Sequence, residues 1–105
     1  MKEDMQTRRN KRIRGEILQL LYAVTPSTIQ VSTLSRTLMD HGYITTPDIA
    51  PHIDYLADRG YVTVIDEEAS KKIFKGIFPP STFLKLTSIG TDIVEHTRED
   101  LGVDA

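Results

Sequence analysis

Three clusters in the chain carry residue types that could do chemistry. The first is "RRNKRIR", where Arg8, Arg9, Lys11, Arg12 and Arg14 put five bases into seven residues. Cations at that density suit phosphate groups, either along a nucleic-acid backbone or in its minor groove. They also sit badly at a helix start, where the dipole is already positive, so a partner for the charge is favoured over a bare solvated end. The second cluster is "SKKIFKGIFPP", which mixes Lys71, Lys72 and Lys75 with Ile73, Phe74, Ile77 and Phe78. Lysines on a loop can straddle a phosphate backbone, but four bulky apolar residues are not needed for that. They imply either a return to the core or a patch for a protein partner or second subunit, with Pro79 and Pro80 stiffening the exit. The third is a set of acids and histidines at helical spacing: Asp48 with His52, and Asp54 with Asp58. Such pairs could hold a metal, yet the same spacing is common on a solvated helix face. His41, His52 and His96 fall in three separate segments, and no phosphate-cradling glycine loop or nucleophile signature is present. The expectation is a binding protein rather than an enzyme, with no catalytic residue, metal or cofactor.

These clusters must be positioned by a small molecule. A chain of 105 residues with 39% apolar composition has the size of one domain with one core. Its net charge of −2 argues mildly against a dedicated nucleic-acid binder. The distribution is less even than the total. Residues 1–16 hold six bases against three acids, and residues 92–105 hold five acids against Arg98. The absence of cysteine rules out a disulfide scaffold and suits a cytoplasmic protein. The segment "ILQLLYAV" follows basic residues, but Gln19, the preceding Glu16 and the lack of a small-residue cleavage pattern make it a core helix rather than a leader. No apolar run approaches the roughly 20 residues of a membrane helix.

Periodicity supplies the elements. Ile13, Ile17, Leu20, Leu21 and Val24 mark one face of a first helix that ends at Thr25-Pro26-Ser27. "TIQV" reads as a minimal strand. Ser32 is the expected cap of a second helix, with Leu34, Leu38 and Met39 inward and Gly42 as its left-handed stop. A third helix runs from a cap at Asp48 to Gly60, with Pro51 in its first turn. Its inward residues are Ile49, Ile53, Leu56 and Ala57. Pro51, His52, Tyr55, Asp58 and Arg59 point outward. "YVTVID" and "FLKLT" alternate as two strands joined by the long loop. Ser88 is expected to cap a last helix burying Ile89 and Ile93. The pattern therefore predicts an α+β domain over 13–97, preceded by a basic arm or helix extension (1–12) and followed by an acidic, polar tail (98–105).

Three helices followed by a hairpin is the layout of a winged helix. The segments "EILQLL", "VSTLSRTL", "IAPHIDYLADRGYVTVID" and "FLKLTSIGTDIVE" resemble the winged-helix domains of bacterial and phage regulators of the PadR-like, MarR-like and ArsR-like kind. The run through Ile53, Leu56, Gly60, Tyr61 and Val62 carries the likeness, as does the strand exit at Leu86, Thr87, Gly90 and Ile93. The compact size and the ending "GTDIVEHTREDLGV" are also similar to short winged-helix proteins of phages and prophages. The resemblance implies a fold of three helices, a β-hairpin wing and a C-terminal helix. It implies a transcriptional regulator that binds double-stranded DNA as a homodimer. The third helix would then lie in the major groove with Thr46, His52 and Tyr55 nearest the bases, Arg59 at its far end, and Lys71, Lys72 and Lys75 on the wing. The chain departs from that pattern here. None of the three base-facing residues is the arginine, lysine, asparagine or glutamine of the usual bidentate contacts, and three aspartates would face or flank phosphates. The alternative is a winged-helix interaction module that binds protein through the apolar loop and has lost DNA.

Overall fold

The computed structural model describes residues 4–65 and 81–105. Its elements run α1 (Met5–Val24), β1 (Thr28–Gln30), α2 (Val31–Asp40), α3 (Ala50–Asp58), β2 (Val62–Ile65), β3 (Phe83–Leu86) and α4 (Ser88–Val94). Among the described residues this is an α+β fold of four helices and a three-stranded antiparallel sheet in the order β1-β3-β2. The element order is the one the hydrophobic pattern predicts.

α1 begins earlier than its apolar stripe does. The Asp4 carboxylate accepts from the Thr7 N–H at 2.7 Å and closes the first turn, so residues 5–12 are regular helix rather than a separate arm. At about 1.5 Å per residue its 20 residues span roughly 30 Å. Its buried anchors begin only at Ile13 and continue with Gly15, Ile17, Leu18 and Leu21.

α2 and α3 stop by the same device. After α2 the Gly42 N–H donates to the Met39 carbonyl and the Tyr43 N–H to that of Leu38. After α3 the Gly60 N–H donates to Ala57 and the Tyr61 N–H to Leu56. Both glycines take positive φ, 80° and 79°, which a Cβ would resist. α4 closes with the same bond pattern, from His96 to Ile93 and from Thr97 to Asp92, but a histidine occupies the left-handed position at φ 61°.

The starts differ slightly from expectation. Gln30, not Ser32, stands at the cap position of α2, and Val31 is buried. α3 begins at Ala50, whose N–H reaches the Asp48 carboxylate at 3.1 Å, two residues beyond the expected cap. Thr87 rather than Ser88 caps α4, accepting from the Gly90 N–H. The same hydroxyl donates to the Gly60 carbonyl at 2.6 Å, tying the start of α4 to the end of α3. Met39, expected inward, is 40% exposed because it lies one position round from the Leu34–Leu38 stripe.

In the sheet, Val62 faces Leu86 and Ile65 faces Phe83, while Thr28 faces Lys85 across the other edge. Leu84 and Leu86 alternate inward around exposed Lys85. They complete one core with Ile17, Leu18, Leu21, Leu34, Leu38, Ile49, Ile53, Leu56 and Ile93. That core also takes in Val103. Residues 98–105, expected as a polar tail, are therefore laid back against the domain.

Among the described residues no helix is long and apolar enough to cross a membrane.

Candidate functional site

The bases of the first cluster are divided between two faces of α1. Arg8, Arg9 and Arg12 lie at positions i, i+1 and i+4, share one side, and are exposed. They border a groove of about 450 Å³ whose opposite wall is the turn after α2, with His41, Gly42 and Tyr43. Ile13 lines the groove as well, and Met5, 85% exposed, stands at its open end. The Arg12 guanidinium lies 5.7 Å from the centre of the Tyr43 ring, within cation–π reach. Among the described residues no carboxylate lines this groove.

The other face of α1 meets residues 98–105, here termed the strap. The Asp104 N–H donates to the Lys11 carbonyl at 3.0 Å, and the Arg14 guanidinium donates to the Gly102 carbonyl at 3.2 Å. A Cβ on Gly15 would collide with the Asp104 carbonyl, so the strap crosses α1 where the helix has no side chain. Arg14 also lies 3.8 Å over the Tyr55 ring, and Arg59 lies 4.8 Å from that ring's centre.

Asp100 organises this side. Its carboxylate accepts from the Tyr61 hydroxyl at 2.5 Å, the Gly102 N–H at 2.7 Å, the Tyr55 hydroxyl at 3.3 Å and Arg59 at 3.3 Å. Its side chain is only 5% exposed. Burial pushes its pKa up, but the bonds from Tyr61, Gly102 and Tyr55 and the charge of Arg59 outweigh this and leave it below the ordinary carboxylate value. Burial raises the pKa of the Tyr61 phenol, and the Asp100 carboxylate beside it adds to the rise.

α3 carries little positive charge to solvent. Pro51 and Asp58 are exposed on it, Asp48 is exposed just before it, and Asp54 is half-buried. Thr46 is exposed on the preceding loop. His52 and Tyr55, expected outward, are both half-buried. Tyr55 is drawn in because its ring stacks under Arg14 and its hydroxyl reaches Asp100. His52 keeps a buried Nδ1 without a hydrogen-bond partner. Its pKa is pushed down chiefly by burial and then by Arg14, against an opposing pull from Asp48, so the imidazole is uncharged near neutral pH.

The fold therefore brings Arg8, Arg9 and Arg12 together at one groove, and separately gathers Arg14, Tyr55 and Arg59 around the strap. Lys71, Lys72, Lys75, Ile73, Phe74, Ile77 and Phe78 lie outside the described residues. His41 and Tyr43 face the arginines and were not picked out from the sequence. Their only local signal is that they flank the glycine stop of α2; which helix they face is a tertiary fact. Among the described residues no group of three or more His, Asp or Glu is placed to hold a metal ion. No protein-family model, curated protein or solved structure matches the chain.

Proposed function

We propose that this is a winged-helix domain that binds double-stranded DNA, as a regulator acting through a dimer, and that it grips phosphates with α1 rather than with α3. The helix, strand, helix, helix, hairpin, helix order and the β1-β3-β2 sheet support the winged-helix description. The observation that carries the reading is the exposed row of Arg8, Arg9 and Arg12 along a groove that no carboxylate lines among the described residues. Three guanidiniums held on one rigid helix face match a line of phosphates and release counterions on binding. α3 and its flanks offer less: Asp48 and Asp58 are exposed, and Arg59, the arginine that follows the helix, is exposed but bonded to Asp100.

A salt series of anisotropy titrations with a generic labelled duplex tests this. The wild type is expected to bind in the micromolar range at low salt. The combined Arg8→Gln, Arg9→Gln and Arg12→Gln variant should flatten the log–log salt slope by about three units. A slope left unchanged in a folded variant would remove α1 from the interface. Absence of wild-type binding even at low salt would favour the rival protein-interaction module, for which the acidic α3 face is the motivating observation.

A further inference from the structure

The groove between α1 and the turn after α2 holds more than phosphates require. We propose that it is a nucleotide-sized subsite that takes up one unpaired nucleotide of the bound nucleic acid; this rests on the nucleic-acid reading above.

The groove is open to solvent, and its volume of about 450 Å³ is matched by other clefts of the surface, so its chemistry rather than its size marks it out. The walls divide by chemistry. Arg8, Arg9 and Arg12 supply planar, permanently charged donors on one side, suited to phosphate oxygens. The opposite side is aromatic, with Tyr43 half-buried and His41 exposed at the rim. The floor is apolar, formed by Ile13, which is 3% exposed. Gly42 adds no side chain between the two rings, and a Cβ placed there would meet nothing within 4 Å, so the space above the turn is open. Arg12 stands 5.7 Å from the Tyr43 ring centre. This pairs a stacking surface with a cation, the combination by which proteins hold unpaired bases irrespective of sequence.

A base inside a duplex is already stacked on both faces and cannot enter such a groove. The base is therefore one left unpaired at an end or gap of the bound duplex, for which a single strand can stand in, resting on Tyr43 with its flanking phosphates on the arginines. No base-specific donor pattern is built into the walls. Affinity should follow stacking strength rather than sequence.

Three labelled probes test this with the intact protein: a ten-nucleotide thymidine strand, an abasic strand of the same length and phosphate count, and a blunt duplex of ten base pairs. At low salt the thymidine strand should bind about 5- to 100-fold more tightly than the abasic one. Tyr43→Leu, which keeps apolar bulk at the turn, should erase that difference while abasic binding stays unchanged. Because the variant could lose its fold, a second measurement uses the wild type. Photocrosslinking of an iodouridine-bearing strand should leave its adduct on Tyr43 or His41. Equal binding of thymidine and abasic strands, or an adduct confined to other residues, overturns the nucleotide subsite while leaving phosphate binding by α1 intact. No binding of any probe, the duplex included, overturns both.

Discussion

Arg12 and Arg14 are two residues apart on α1 and meet different fates. Arg12 stays exposed at the rim of the groove, while Arg14 is half-buried, stacked on Tyr55 and bonded to the Gly102 carbonyl. Two residues of helix rotate a side chain by about 200°, enough to move it from one face to the other. The same composition therefore gives an exposed basic surface on one side of α1 and a structural joint on the other. A count of bases in a segment measures charge, not its availability. Tyr55 on α3 repeats the lesson: a helix projection puts it outward, and it is drawn toward Asp100, 45 residues further on.

The joint and the groove should separate under mutation. Asp100→Ala should have the largest effect on stability, about 2–3 kcal/mol at neutral pH, because several buried or half-buried donors lose a charged acceptor at once. Its pH dependence has a definite sign. The folded pKa of Asp100 lies below its unfolded value, so its contribution is full above about pH 4 and is lost as pH falls through the folded pKa. The stability gap between wild type and Asp100→Ala, read from urea unfolding, should narrow below about pH 4. A gap that is constant with pH would mean that the carboxylate is not what holds the strap. Phosphate binding by the α1 groove should survive the substitution, measured above that range.

Gly15→Ala comes next. In a solvent-facing helix this change gains up to about 1 kcal/mol. Here the added methyl meets the Asp104 carbonyl, so a net loss of about 1–2 kcal/mol is expected by thermal or chemical unfolding. A stabilised Gly15→Ala protein would show that the strap does not press on α1. The smallest effect belongs to the acidic side. Replacing Asp48, Asp54 and Asp58 together with asparagine should change duplex affinity by less than about threefold. A large gain would place α3 against phosphates and reverse the assignment of faces.

Much of the fold was legible because local chemistry and global placement agree. The stops at Gly42 and Gly60 follow from helical stripes running into glycine, and the inward pattern of Ile53 and Leu56 follows from period alone, whereas "FLKLT" leaves either Phe83 or Leu84 to face the core and only the fold selects Leu84. What was not legible depends on distant partners. Residues 98–105 read as a polar tail because four of them are charged. Their docking rests on Val103 reaching the core and on Asp100 meeting two tyrosines and an arginine from other elements. The candidate site shows the same division. The basic cluster was visible as a string of letters, but the split at Arg12 and Arg14 and the facing ring of Tyr43 exist only once α1 lies across the α2 turn. Asp4 could have been read as a cap three residues before Thr7 and four before the first arginine, which would have made residues 5–12 helix from the start.

The strap has a consequence for synthesis. The bond from Arg14 to Gly102 spans 88 residues, and the Lys11 carbonyl waits slightly longer for the Asp104 N–H. At ordinary elongation rates of ~5–20 residues per second, α1 leaves the ribosome roughly 4–18 s before the strap that seals its inner face. During that interval Ile13, Ile17, Leu18 and Leu21 lack part of the cover they have in the finished fold. A nascent chain stalled before residue 100 would carry an α1 whose arginine row is already displayed while its joint is unmade.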